Sequence, residues 1–230
     1  MEISQVNADA IGWISETDMI EVDRVMIEDL HIELIQMMEN AGRSLALVVR
    51  ELASPDAKVV VAAGSGGNGG GGLVAARHLT NAGFDVSVVL TRAAEEMTPI
   101  PGHQLDILER MGVPMVDSLA GADVAVDAII GYSLRGAPTG KSADLISETA
   151  DVPLVISLDT PSGLDVTSGE TPGVVVNADA TMTLAAPKAG LRGVANVGDL
   201  YLADISVPPS VIERFGTSAP FPRAGVLKIV

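Results

Sequence analysis

No cysteine occurs among the 230 residues, which excludes disulfides, thiolate metal sites and a cysteine nucleophile. Histidine is nearly as scarce. His31, His78 and His103 stand at no metal-ligand spacing, and each reads as a surface or helix residue. Basic residues are few: 14 Lys and Arg face 30 Asp and Glu, for a formal net charge of −16. The lysines are Lys58, Lys141, Lys188 and Lys228. A field of that sign repels phosphate backbones, so nucleic acid is not an expected partner. No apolar run approaches the span of a bilayer. Met1-Glu2-Ile3 opens no basic-then-apolar leader. The expectation is a soluble, cytoplasmic protein with no membrane partner. The acids are spread along the chain without forming a tail, which fits a salt-adapted surface and an ordinary acidic one equally.

What the chain does have is apolar content and glycine. Hydrophobic residues make up 47%, so this is not a disordered chain, and its length suits one domain over residues 1–230. Its organising stretch is Val59-Val60-Val61-Ala62-Ala63 followed by Gly64-Ser65-Gly66-Gly67-Asn68-Gly69-Gly70-Gly71-Gly72 and Leu73-Val74-Ala75-Ala76-Arg77. The valine run suits a strand buried on both faces, and helical spacing resumes after the glycines. Seven glycines in nine residues weaken any packed element unless something must approach the backbone closely. A strand, a glycine turn and a helix start together aim free N–H groups at an anion such as phosphate. A Walker loop is excluded, because Leu73-Val74 stand where Lys and Ser or Thr are required. Gly64, Gly66 and Gly69 spell a literal G-x-G-x-x-G, but Asp85 precedes the second strand and Thr91-Arg92 follow it, where an acid belongs.

Around this stretch the pattern alternates. Ser15-Glu16-Thr17-Asp18 can cap a first helix, and a second runs from about His31 to Leu52, giving N-terminal helices over about 15–52. An α/β core over about 58–210 follows. Its strands are expected at 58–63, 85–90, 124–130, 153–158, 180–185 and 200–205, with a short one near 114–116. Its helices are expected at 72–82, 103–111 and 140–149. Several strands are continuously apolar, which favours a mostly parallel sheet in a Rossmann-like three-layer α/β/α sandwich. Residues from about 216 to 230, with Pro220 and Pro222, read as a surface tail.

Ligands of open parallel sheets sit beyond the carboxyl ends of the strands, and the loops there carry chemistry. Asp127 closes an apolar run, where a carboxylate is costly unless it meets a cation or several donors. Asp159 and Ser162 share a turn stiffened by Pro161 and Gly163. Lys188 follows a further apolar run, beside Pro187 and Gly190.

These segments resemble one family in order, over roughly residues 15 to 210. Gly64 through Leu79 is similar to the GxGNNGGDGLVAARHL signature of NAD(P)HX epimerases, the YjeF N-terminal domain family. Met38-Glu39-Asn40-Ala41-Gly42-Arg43 resembles its LMENAGR, and Asp127 to Gly136 its DAIFGTGLxG. Asp159 to Asp165 resembles its DIPSGLD, and Ala186 to Leu191 its APKPGL. The resemblance implies interconversion of the R and S epimers of hydrated NADH or NADPH, with Asp159 and Lys188 as catalytic residues. It implies that Gly67, Asn68, Gly69, Gly70, Gly71, Gly131, Tyr132, Ser133, Leu134, Arg135, Gly136, Ala137 and Asp159 line the nucleotide. It implies one potassium ion per subunit, held by Asn68, Asp127 and Ser162, all oxygen donors as a hard cation requires. A homodimer and a separate dehydratase acting on the product are also expected.

Two departures matter. The family's NNGGD becomes Gly67-Asn68-Gly69-Gly70-Gly71, so an Asn and an Asp facing the substrate are absent. Tyr132-Ser133 replace the Thr-Gly of GTG. They leave a second reading open, a nucleotide-binding or scaffold module of the same fold without catalysis. An oxidoreductase is disfavoured, because neither Tyr132 nor Tyr201 is followed by Lys at the Tyr-x-x-x-Lys spacing.

Overall fold

A computed structural model describes residues 3–222 and 225–230. After a short strand β1 (Ser4–Val6) come α1 (Glu16–Arg24) and α2 (Leu34–Leu52). Ser15 and Asp18 cap α1 reciprocally, each side chain bonding the other's backbone N–H. Beyond Arg24 the helix widens into one π turn, Val25–Asp29, in which the Leu30 N–H reaches back to Val25 O. The core then alternates through β2 (Lys58–Ala63), α3 (Gly67–Asn81), β3 (Asp85–Leu90), α4 (Pro99–Met111), β4 (Val124–Ala128), α5 (Gly140–Glu148) and β5 (Leu154–Leu158). It closes with β6 (Ala180–Leu184), β7 (Asp199–Ala203), the short α6 (Pro209–Ile212) and β8 (Val226–Ile229).

The strands form one sheet in the order β1-β8-β7-β6-β5-β4-β2-β3, parallel except between β7 and β8. Alternate residues of β2 face opposite layers. Val59, Val61 and Ala63 join Leu45, Val49, Leu73 and Leu105 from α2, α3 and α4. Val60 and Ala62 join Leu145 and Ile146 of α5. Both faces of the sheet are therefore covered, which is why the strands read as continuous apolar runs. This is the Rossmann-like α/β/α arrangement expected from the sequence.

Three expectations are corrected. The glycine run is not a long turn: helix α3 begins at Gly67, five residues before the expected start at 72. Close packing overrides the low helix propensity of glycine here. A methyl group on Gly72 would collide with Ala128 of β4, and one on Gly42 of α2 would collide with Val74 of α3. The strand near 114–116 reduces to a single bridge between Val88 and Met115. The surface tail fails as well, because β8 lies between β1 and β7 with Val226, Leu227 and Ile229 buried. One of its two partner strands, β1, is more than 200 residues away in sequence, so no local pattern announces that pairing. No helix among the described residues is long and apolar enough to cross a membrane.

Candidate active site

Four strand ends meet beside α1 and α2 around a cavity of about 320 Å³, within the range of small-molecule pockets. Gly67, Asn68 and Gly71 of α3 line it, with Gly131, Tyr132 and Ser133 after β4, Asp159 after β5 and Lys188 after β6. Apolar side chains complete the wall, among them Leu34, Met37 and Met38 of α2.

Asp159 has a left-handed backbone, φ +66°, a conformation that Asp tolerates better than most residues. Its N–H donates to Met182 O over 2.7 Å, which pins the turn to β6. Its carboxyl then meets two donors, Lys188 Nζ at 2.6 Å on Oδ1 and the Tyr132 N–H at 2.9 Å on Oδ2. Lys188 is itself fully buried, at 0% exposure. Its ammonium also donates to Leu184 O over 2.8 Å and Thr183 Oγ1 over 3.2 Å, so its three protons all find acceptors. The pair is thus enclosed, satisfied and open to the cavity on one side.

Asp127 is equally buried but does not line the cavity. Ser162 Oγ (2.5 Å) and the Ile129 N–H (3.2 Å) donate to Oδ1. Ser157 Oγ and the Ser162 N–H, both at 2.8 Å, donate to Oδ2. Burial still pushes this carboxyl above the ordinary carboxylate range, because the four donors offset only part of the lost hydration. Asn68 stands on the cavity wall beside Gly131. Its amide Nδ2 is buried without a hydrogen-bond partner, and a methyl on Gly131 would stand 3.2 Å from both Asn68 Oδ1 and Asp159 Oδ2. The donor set is one carboxylate with neutral oxygens. Among the described residues no cluster of three or more His, Asp or Glu could hold a metal ion. Such a set fits a monovalent hard cation better than a divalent one.

Other residues singled out in the sequence lie off the cavity wall. Gly69 and Gly70 are buried in α3, the latter against Met38. Arg135 turns outward to an ion pair with Glu16 of α1 at 2.6 Å. Leu134 is buried at the base of that loop, Gly136 takes φ +70°, and Ala137 packs against Gly173. Asp165 braces its own turn, accepting the N–H groups of Thr167 and Ser168 at 2.9 and 2.8 Å.

One charged wall residue has no counterpart in the sequence analysis. Asp23 of α1 lines the cavity, and its Oδ2 accepts the Tyr132 hydroxyl at 2.6 Å. Burial pushes the Asp23 carboxyl up, with the Tyr132 hydrogen bond offsetting part of the shift. The Tyr132 phenol is pushed up too, by burial and then by the Asp23 charge. Nothing in the local pattern separates Asp23 from the other acids of a solvated helix.

Comparison with known proteins agrees with this geometry. The family model described as YjeF-related protein N-terminus matches residues 34–190. An NAD(P)H-hydrate epimerase of Dehalogenimonas lykanthroporepellens is 43% identical, over 94% of this chain and 91% of that protein. One of Truepera radiovictrix is 42% identical, over 85% and 91%. A bifunctional NAD(P)H-hydrate repair enzyme of Hyperthermus butylicus is 40% identical over 85% of this chain, but over only 38% of its own length. The crystal structure of yeast ynu0, YNL200c, superposes with a TM-score of 0.84 at 26% identity, covering 95% of this chain and all of that one.

Proposed function

The chain belongs to the family of YjeF-related N-terminal domains, and from that premise we propose that it is an NAD(P)H-hydrate epimerase. It interconverts the R and S epimers of hydrated NADH or NADPH at the ring carbon that carries the added hydroxyl. The relatives named for this activity match nearly the whole chain. The observation that carries the reading is the buried Asp159–Lys188 pair facing a cavity at the strand ends. A buried ion pair adds little stability over well-packed apolar residues, so its presence here is better explained by chemistry than by folding.

Inverting that carbon needs proton movement and a transient cationic ring. The Asp159 carboxylate serves as the acid–base group and stabilises developing positive charge. Lys188 and the Tyr132 N–H fix both of its oxygens, so it does not reorganise during reaction. The N-terminus of α3 points into the site, and nothing lies within 4 Å of a methyl built on Gly66 or Gly67. That open backbone suits the diphosphate of a nucleotide. Met37, Met38 and Leu34 exclude water from the ring side.

Asn68, Asp127 and Ser162 would hold one potassium ion. When bound, it would supply a positive charge that offsets the buried carboxylate and ties together the loops after β2, β4 and β5.

Gly71 stands where the family's signature has Asp. A methyl there would lie 2.7 Å from Leu158 Cδ2, so this chain fills that space with leucine. Asp159 and Lys188 are untouched by the change, which favours catalysis over a binding-only module. Removal of the water belongs to a dehydratase activity, and the bifunctional relative, less than half of which this chain matches, supports pairing the two activities. The test is to incubate the protein with a mixture of both epimers and a dehydratase specific for one. An epimerase drives conversion of the whole mixture faster than the spontaneous rate. A binding module leaves the second epimer behind.

A further inference from the structure

Tyr132 holds two carboxyls at once. Its backbone N–H donates to Asp159 and its phenol donates to Asp23, at 2.9 and 2.6 Å. The carboxyls therefore face the same cavity but are kept apart by a tyrosine side chain rather than sharing a proton. Both carboxyls line the same cavity of about 320 Å³, room enough for a ring and a water. The surroundings of the two acids also differ. Asp159 meets the Lys188 ammonium, whereas Asp23 meets a phenol and sits among Met19 and Ile27, with burial pushing its carboxyl up. Two acids placed in unlike environments are the usual basis for dividing acid and base roles.

We propose that Asp23 is a second acid–base residue of this site, acting on the face of the ring opposite Asp159, with Tyr132 as the residue that positions it. The proposal rests on the epimerase reading. As the carbon–oxygen bond breaks, the leaving hydroxyl takes the Asp23 proton and departs as water. The ring nitrogen's lone pair forms a carbon–nitrogen double bond. Water then adds to the opposite face, its proton passes to Asp159, and the electron pair returns to nitrogen. Atoms and charge balance, and exchange with solvent resets both acids. The charged groups facing Asp23 are Lys188 and Asp159 across the cavity. Tyr132 faces it from the loop after β4, and Glu21 and Arg24 on its own helix pair with each other at 2.7 Å.

The test is the pH profile of epimerisation of hydrated NADH, coupled to a single-epimer dehydratase. Only a protonated Asp23 can donate, so the parent rate should fall as pH rises through its elevated value. Asp23→Asn should lower kcat by about 10²–10⁴-fold and abolish that alkaline limb, with KM changed less than about threefold. Tyr132→Phe removes a donor that pulls the Asp23 value down, so its limb should move to higher pH. An inactive parent overturns the proposed function and this inference together. An active parent whose Asp23→Asn variant keeps its rate and its alkaline limb overturns this inference alone. If Asp23→Asn does not fold, an unmoved limb in Tyr132→Phe overturns it.

Discussion

Lys188 donates to Asp159 over 2.6 Å with both residues at or below 2% exposure, and among the described residues each is the one charged partner in the other's hydrogen bonds. Removing one partner of such a pair strands a buried charge, at a cost of about 3–5 kcal/mol. Lys188→Met should therefore lower the urea midpoint strongly. Asp159→Asn keeps the shape but leaves the buried Lys188 ammonium without its counter-charge, so it too should be destabilised, and in the folded variant epimerisation should drop by about 10²–10⁴-fold. Nucleotide binding, read by calorimetry, should fall far less. An active parent whose Asp159→Asn variant keeps its full rate would make Asp159 structural.

Potassium dependence can be read without activity. If Asn68, Asp127 and Ser162 hold the ion, KCl should raise the melting temperature above that in an organic-cation chloride of equal ionic strength. Ligand linkage predicts about 2.7 kcal/mol at a hundred times the dissociation constant. Asp127→Ala should erase the difference between the two salts while leaving any general salt effect. Identical melting in both salts for the parent would mean that no such site exists.

Much of this architecture is legible in the chain because its signals are local. β2 and β3 fall at the expected 58–63 and 85–90, since Val-rich runs bounded by turn residues leave few alternatives. Asp159, Ser162 and Lys188 stand out because each follows a strand, and Asp127 because it interrupts an apolar one. The failures are tertiary. Glycine propensity argued against a helix through Gly69 to Gly72, and the close approach of Gly64, Met38, Leu158 and Ala128 explains the glycines there. β8 needs β1 and β7 as partners, and Asp23 becomes a site residue only through Tyr132, 109 positions later.

Asp23 should also leave a mark on stability. A carboxyl whose folded value lies above its unfolded one contributes stability at low pH and loses it as pH rises through the folded value. Asp23 is such a group, with burial as the main cause. Asp23→Asn has no charge to bury. Relative to the parent, the variant should become more stable as pH is raised from acid toward neutral. Urea unfolding at a series of pH values checks this, and a parent–variant difference independent of pH would place the Asp23 carboxyl in ordinary solvent.

The glycines of α3 are predicted to divide into two kinds. Ala in place of Gly is worth up to about 1 kcal/mol in a helix, but overpacking a rigid core costs about 1–3 kcal/mol. At Gly72 the new methyl meets Ala128 Cβ and stands 3.2 Å from Val61 Cγ1. Neither is the end of a flexible side chain, so overpacking wins and Gly72→Ala should be destabilising. At Gly67 the methyl meets nothing within 4 Å, so Gly67→Ala should be neutral or slightly stabilising in urea unfolding. The same methyl would stand at the cavity rim, over the N–H groups assigned to the diphosphate. Gly67→Ala should therefore weaken nucleotide binding while strengthening the fold, a combination that separates a backbone cradle from a packing role. If Gly67→Ala binds nucleotide as the parent does, the diphosphate lies elsewhere.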